Sequence, residues 1–327
     1  MGMFAPGPGS RMRIALVTPA PPRSRAGNRA TAVRWARILR GLGHRVDVRE
    51  DYVGDAADLM VALHAWRSAE AVLRYRETYP RRPLVVALTG TDLYRFIHSH
   101  PEATLRSVAL ADRLVALHDL AGEAIPAESR PKLRVIHQSA PPLAGPRRPV
   151  RSAVRVCVAG HLREEKDPLR GAYAVRDLPR GSRLQVVHYG RAHAEDWARL
   201  AQAEQAANPR YRWYGEVPHW QVRRAYASSH LMLVSSRMEG GANVVSEALA
   251  AGLPVVGSAI AGNLGLLGED YPGCYPVGST QGLRDLLLRT ERDPGFYADL
   301  ESRCAARRHL FSPQREASAW KALLAEL

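Results

Sequence analysis

One stretch limits the possible folds more than any other. Ser235-Ser236-Arg237-Met238-Glu239-Gly240-Gly241-Ala242-Asn243-Val244-Val245-Ser246-Glu247-Ala248 continues into Ala251-Gly252-Leu253-Pro254-Val255-Val256-Gly257. It reads as a buried strand, a glycine loop, a helix, a Gly-Leu-Pro turn and a second buried strand. Strands joined through a helix run parallel, and a parallel sheet is covered on both faces. The helix opens with free backbone N–H groups and a partial positive charge, and the glycines let a ligand come close to them. The loop is therefore an anion cradle. Glu239 stands before the helix and Glu247 inside it, so one polar ligand lying across the helix start would offer hydroxyls to both. Taken alone, a Glu-x7-Glu spacing favours the plainer reading of a solvated loop residue and a helix-start acid, because short motifs match by chance.

The same alternation runs through the chain. Residues 28–42 have helical apolar spacing at Ala32, Trp35, Ala36, Leu39 and Leu42 and end in Gly41-Leu42-Gly43-His44. Short apolar runs predict strands at 13–18, 45–48, 59–63, 84–88, 113–116 and 133–136. Residues 140–149, with four prolines and a glycine, have the composition of a linker. Beyond it strands are predicted at 154–159, 184–189, 231–234 and 255–257. The expected fold class is α/β: two doubly wound Rossmann-like domains facing across a cleft at the carboxyl ends of their strands, where such sheets bind ligands. The expected boundaries are a disordered Gly/Pro-rich extension at 1–11, a first domain at 12–145, a second at 146–311 and a final helical segment at 312–327.

Composition excludes more than it identifies. The formal charge is +14, but 43 of the 46 basic residues are arginine and they are scattered rather than striped, so no nucleic-acid partner is expected. Lys132, Lys166 and Lys321 are the only lysines. No apolar run approaches the ~20 residues of a membrane span, and the start has no apolar signal core. A cytoplasmic protein without a membrane partner is expected. Cys157, Cys274 and Cys304 are widely spaced and odd in number, which fits neither a disulfide framework nor a zinc site. No pair of carboxylates stands where a divalent ion would sit, so no metal and no cofactor is expected. Nothing in the sequence sets an oligomeric state.

Four loops at predicted strand ends collect the remaining chemistry. Gly160-His161-Leu162-Arg163-Glu164-Glu165-Lys166-Asp167-Pro168 puts Arg163 and Lys166 a helical turn apart, a spacing suited to a diphosphate. In isolation such a run is more often a solvated charge cluster; beside the Glu239 segment the balance reverses. In the first domain, Pro19-Ala20-Pro21-Pro22-Arg23-Ser24-Arg25-Ala26-Gly27-Asn28-Arg29, His64-Ala65-Trp66-Arg67-Ser68 and Thr89-Gly90-Thr91-Asp92-Leu93-Tyr94 offer mostly cations. Such loops suit an acceptor that is already an anion and needs no base. The alternative, that arginines in so arginine-rich a chain simply solvate, weighs equally. His64 alone is more often structural than catalytic, although its place at a strand end favours a role.

The strings together resemble the retaining GT-B glycosyltransferases that use nucleotide-diphosphate sugars, whose Glu-Gly-x-x-Asn-Val-x-x-Glu-Ala and Ala-x-Gly-x-Pro-Val-Val motifs match at Glu239 and Ala251. The resemblance implies that Glu239 and the amides of Gly240, Gly241, Ala242, Asn243 and Val244 bind the donor sugar and that Glu247 binds the ribose. It implies that Lys166 contacts the diphosphate, that Gly190 marks the glycine loop after a strand, and that the backbone around Gly215 and Val217 meets the base. It also implies that the last helix returns to the first domain. At the family's Arg position stands His161; Arg163, whose charge does not depend on pH, is favoured as its replacement.

A narrower resemblance joins Thr-Pro-x-x-Pro with Gly27-Asn28-Arg29, Leu-His-Ala-Trp-Arg-Ser at His64, Leu-Thr-Gly-Thr-Asp-Leu-Tyr at Thr89, and Gly-His-Leu-Arg-x-x-Lys-Asp-Pro at His161. These strings are similar to selenosugar synthases of the selenoneine pathway and extend from Thr18 to Glu247. The branch implies transfer of glucose or N-acetylglucosamine from UDP to the selenium of selenophosphate, with UDP-GlcNAc or UDP-Glc as the donor. Arg23, Arg25, Gly27, Asn28, Arg29, Trp66, Arg67, Thr89 and Asp92 would form the acceptor pocket, and Lys166, Glu239, Arg163 and His64 the catalytic set. A retaining glycosyltransferase acting on a hydroxyl, and a GT-B UDP-sugar epimerase or non-catalytic UDP-sugar-binding protein, stand as alternatives.

Overall fold

The computed structural model describes residues 11–22, 24 and 27–327. The expectations for residues 1–10, Arg23 and Arg25 lie outside the described residues. The chain forms two compact units, one of Met1–Gln138, Glu239–Gly241 and Pro313–Leu327, the other of Ser139–Met238 and Ala242–Ser312.

In the first unit six parallel strands, β1 (Arg13–Val17), β2 (Arg45–Arg49), β3 (Leu59–Leu63), β4 (Leu84–Ala87), β5 (Arg113–Ala116) and β6 (Leu133–Val135), lie in the order β2-β1-β3-β4-β5-β6. The pleat explains why the predicted strands are uninterrupted apolar runs. Ile14 and Leu16 of β1, with Leu59, Val61 and Leu63 of β3, face a core completed by Trp35 and Leu39 of α1 (Gly27–Gly41). Ala15, Val17, Met60 and Ala62 face the opposite core, completed by Val72 and Tyr75 of α2 (Ala69–Thr78). Each alternate side chain thus meets a helix layer and neither face is left for water. Two short helical pieces follow β4, a π-helical turn at Asp92–Phe96 and α3 (Ile97–Ser99), before α4 (Pro101–Leu110).

The helix Pro313–Ala325 belongs to this unit. Trp320 meets Trp35 edge to face, ring centroids 4.8 Å apart. Beside them Glu316, 1% exposed, accepts hydrogen bonds from Arg34 Nε at 3.0 Å and Trp35 Nε1 at 2.8 Å. A buried carboxylate is tolerated only when its oxygens are paired, and removing one partner leaves the other group stranded.

The second unit has the same plan. Strands β7 (Val154–Ala159), β8 (Leu184–Tyr189), β9 (Tyr211–Trp213), β10 (Leu231–Val234), β11 (Val255–Ser258) and β12 (Cys274–Tyr275) are parallel in the order β12-β11-β10-β7-β8-β9. Its helices are α5 (Arg170–Ala174), α6 (Glu195–Ala207), α7 (His219–Ser228), α8 (Asn243–Ala250), α9 (Ala261–Leu267), α10 (Thr280–Arg292) and α11 (Pro294–Arg307). β9 and β12 lie beyond the predicted set; they are edge strands of three and two residues, too short to show a period. Residues 140–149 hold neither helix nor strand. They run along the second unit, with Arg223 donating to the carbonyls of Pro141 and Pro142 at 3.1 and 2.6 Å and Arg148 N donating to Ala227 O at 2.7 Å. Among the described residues no helix is long and apolar enough to cross a membrane.

Glu316→Ala is expected to destabilise the first unit by roughly 2–4 kcal/mol, since it removes the acceptor of the Arg34 Nε–H and of the Trp35 indole N–H. Urea unfolding followed by tryptophan fluorescence checks this, and an unchanged midpoint would contradict it.

Candidate functional site

In the second unit the ends of β7 and β8 approach so closely that side chains cannot fit between them. Gly190 has φ +153°, and a Cβ built there would lie 1.9 Å from the carbonyl oxygen of Gly160. Gly190 N donates to Gly215 O at 2.7 Å, and Trp213 Nε1 donates to Gly190 O at 2.8 Å. The imidazole of His188, on β8, lies beneath. It is 1% exposed, with Nε2 3.0 Å from Gly160 O and Nδ1 3.1 Å from Tyr211 Oη. Burial pushes its pKa down to about 4. The neutral ring therefore donates from Nε2 and accepts at Nδ1, cross-linking the ends of three strands.

The loop after β7 folds as a single turn, Glu164–Lys166, closed by Asp167 in the left-handed region at φ +44°. Two anchors fix it. Ser235 Oγ, just past β10, is 3.0 Å from Lys166 O and 2.9 Å from Asp167 O, and Arg237 N donates to Glu165 O at 2.8 Å. Asp167 is in turn paired with Arg170 at 2.8 Å. A small pocket joins these parts, lined by Gly160, His161, Lys166, Pro168, His188, Ser235, Ser236 and Val244. His161 Nδ1 accepts from Arg191 N at 3.1 Å, and its ring lies 5.0 Å from that of His193. Burial, joined by His193 and the nearby Arg191 and Arg163 against an opposing Glu216, lowers its pKa. His161 thus presents a neutral Nε2–H, while permanent positive charge near the pocket comes from Lys166 and Arg163.

Helix α8 begins at Asn243, directly after Gly240, Gly241 and the N-cap residue Ala242, and no side chain caps it. Val245 N donates to Ala242 O at 2.9 Å, and the helix start carries the partial positive charge of its dipole. Glu247 is the fifth residue, beyond the first turn. Tyr226 Oη donates to its Oε2 at 2.8 Å, and His219 Nε2 lies 3.3 Å from Oε1. Gly215 has φ +68°, and Val217 sits in the partly buried turn just before α7.

In the first unit, Asp92 is fully buried and its carboxylate accepts from the N–H groups of Ala65, Thr89 and Gly90 at 2.7–3.1 Å. It organises two loops from beneath. His64 has φ +74° and is 1% exposed; its Nδ1 accepts from Arg67 N at 3.2 Å and its Nε2 lies 2.9 Å from Thr91 Oγ1. Burial, opposed by Asp92 and reinforced by Arg67, lowers its pKa. The neutral ring has its lone pair committed to Arg67 N–H and its proton directed at Thr91. Trp66 stacks on Phe96, centroids 3.9 Å apart, while Arg67 is exposed. Gly27 and Asn28 open α1; at the next residue the Arg29 Nε and Nη1 atoms are buried without a hydrogen-bond partner among the described residues, as is Thr18 Oγ1 just past β1. Gly240 is grouped with this unit, where a Cβ would fall 2.3 Å from Gly90 N, and Gln138 Nε2 donates to Gly241 O at 2.7 Å. Gln138 also accepts from Thr31 Oγ1 and Arg34 of α1 at 2.5 Å.

Residues 151–306 match the family model for glycosyl transferases group 1. The chain is a glycosyltransferase. Its fold is GT-B. Similar solved structures include Anabaena HepE in complex with UDP and glucose, at 16% identity and TM-score 0.76, covering 97% of this chain and all of that one. Sucrose-phosphate synthase from Thermosynechococcus elongatus is similar at 15% identity and TM-score 0.79, covering 97% and 99%. Trehalose 6-phosphate synthase from Burkholderia multivorans is similar at 14% identity and TM-score 0.73, covering 97% and 98%. No curated protein matches the chain by sequence.

The second unit of this glycosyltransferase brings His161, Lys166 and Val244 to one pocket. Arg29, His64, Arg67, Thr89 and Asp92 all belong to the first unit. Sequence reasoning missed His188, Ser235, Gln138, Tyr226 and His219, which hold the expected residues in place. The signal for His188 was present: a histidine inside an apolar strand needs two partners.

Gly190→Ala is expected to cost more than about 2 kcal/mol, because the methyl group and the Gly160 carbonyl cannot share the space. Urea midpoints of the two proteins provide the check. His188 predicts acid sensitivity. An unfolded histidine takes up its proton near 6.5 and the folded one near 4. The stability is therefore complete above 6.5 and is lost as pH falls through 4, at up to about 1.4 kcal/mol per pH unit. His188→Gln should be less stable at pH 7 yet lose less on acidification, measured by urea midpoints between pH 7.5 and 4.5.

Proposed function

We propose that this glycosyltransferase moves a hexose, glucose or N-acetylglucosamine, from a uridine diphosphate sugar to the selenium of selenophosphate, with retention at the anomeric carbon. Solved HepE complexes contain UDP with glucose and UDP-glucose, which supports that donor class. The diphosphate lies at Lys166 and Arg163 with the N–H of His161 beside them, and the uncapped start of α8 supplies backbone donors. Glu239 holds the sugar hydroxyls and Glu247 the ribose. Positive charge at the departing oxygen favours cleavage, because it is strongest where negative charge develops.

The acceptor reading rests on one observation above all: the Arg29 guanidinium, whose Nε and Nη1 are buried with no hydrogen-bond partner among the described residues. A buried guanidinium without an anion is costly, and a selenophosphate oxygen would supply one. Arg67, exposed at the end of β3, is a second cation for it; Arg23 and Arg25 complete the set. Base chemistry has little support, since the Asp92 oxygens are taken by backbone N–H groups and the His64 lone pair by Arg67. A nucleophile arriving already ionised removes the need. Selenium attacks the anomeric carbon from the face that UDP leaves, through an oxocarbenium-like state. The C–Se bond forms as the C–O bond breaks, the electron pair departs with UDP, and water then releases phosphate from selenium. The reading makes the reaction independent of a metal ion.

The test is mass spectrometry of reactions containing UDP-glucose or UDP-N-acetylglucosamine with selenophosphate, thiophosphate or phosphate, run with EDTA. A selenium isotope pattern on a hexose, with UDP released only alongside selenophosphate, is expected. UDP release with a hydroxyl acceptor instead would assign the ordinary glycosyltransferase reaction. Arg29→Ala should raise the KM for selenophosphate at least about tenfold while the KM for the nucleotide sugar stays within about twofold; equal effects on both would overturn the pocket.

A further inference from the structure

The Glu247 carboxylate is held from both sides by residues of α7. His219 and Tyr226 are seven positions apart, two turns of the helix, and so share one face. Tyr226 is fully buried and donates to Oε2 at 2.8 Å; His219, with its side chain 61% exposed, meets Oε1 at 3.3 Å. One oxygen is therefore fixed from the interior and the other from the surface. The Glu247 side chain is 21% exposed. A carboxylate has about four acceptor positions, so two remain after both contacts are made.

We propose that Tyr226 and His219 are positioning residues that lock the Glu247 carboxylate in one rotamer, with its two remaining acceptor positions set to receive the vicinal hydroxyls of the donor's ribose, and that His219 makes this capture pH-dependent. The inference rests on the donor reading above. A free glutamate would have to lose side-chain entropy when the nucleotide binds, whereas a clamped one has lost it on folding. Tyr226 also makes the lock hard to open, since withdrawing Glu247 would leave a phenol O–H unpaired in the interior.

The charges around His219 fix the direction of the pH effect. Glu247 faces it from α8 and raises its pKa through the hydrogen bond and its charge, while partial burial and Arg223, one turn along α7, oppose. Around Tyr226 stand Glu247, Arg223 and Cys157 of β7; burial raises the Cys157 thiol to about 12, so it stays neutral. His219 is thus the group whose protonation the pH effect follows. Its charged hydrogen bond to Glu247 is complete below the ordinary histidine value of 6.5 and is lost as pH rises through the higher folded value.

Calorimetric titration of the full chain with UDP and with 2′-deoxy-UDP tests this. The wild type should bind UDP about tenfold more tightly than the deoxy nucleotide. Tyr226→Phe should lower UDP affinity about fivefold or more and leave 2′-deoxy-UDP affinity within about twofold, so the ratio collapses while the retained deoxy binding reports an intact fold. The second variant, at an exposed position, is His219→Gln, which keeps a neutral N–H. It should show a flatter dependence of UDP affinity between pH 6 and 8.5 than the wild type, the nucleotide's own titration being common to both. If the wild type discriminates between the nucleotides but both variants keep its ratio and pH profile, the positioning role is wrong. If the wild type binds neither nucleotide, or binds both equally, the assignment of Glu247 to the ribose falls, and this inference with it.

Discussion

Burial of both faces of two parallel sheets is the constraint on which the rest of the structure depends. In the first unit alternate residues of β1 and β3 enter separate cores on either side of the sheet. No face is free to carry polar chemistry, so polar groups are confined to the loops where strands stop. Asp92, His64 and the Lys166 turn all stand at such ends. The same confinement explains their elaborate support. A loop leaving a strand has backbone groups without ladder partners, and Asp92, Ser235 and His188 satisfy them.

Arginine has taken over work that lysine does elsewhere. Arg76 reaches the carbonyls of Pro80, Arg82 and Leu110 together with Asp112. Arg210 bridges the carbonyls of Ser182 and Leu184, and Arg307 those of Gly265 and Leu266. A planar fork with five donors joins several acceptors at once, which a single ammonium does less well. Much of the positive charge is therefore structural stitching, which accounts for a strongly basic chain without a basic stripe. Against that background Arg29 differs in having two buried nitrogens, Nε and Nη1, without a hydrogen-bond partner among the described residues.

The architecture was legible because its signals are local. Apolar runs of four to six residues and the 3.6-residue spacing around Trp35 predict β1, β3, β7, β8 and α1 to within a residue or two. β9 and β12 escaped because a two- or three-residue edge strand carries no period. The glycine loop before α8 was legible for another reason: only a close backbone approach needs consecutive glycines there. What could not be read were the long-range partners. Nothing near Glu247 in the sequence points to Tyr226, 21 residues earlier, and nothing near Gln138 points to Gly241. Such pairs exist only once the strands between them are ordered. His64 shows the same limit: its strand-end position suggested chemistry, whereas its two hydrogen bonds give it the role of a loop keystone.

The helix Pro313–Ala325 closes the first unit although the whole of the second unit precedes it in the chain. During synthesis the first sheet emerges early, yet Trp35 and the Arg34 guanidinium must wait for Trp320 and Glu316. Until then the nascent chain exposes the Trp35 indole on α1. Maturation of the earliest-made part is thus timed by the latest-made one, and a chain that stops before residue 313 holds every residue of the second unit but leaves the first with an open hydrophobic face that a chaperone can bind.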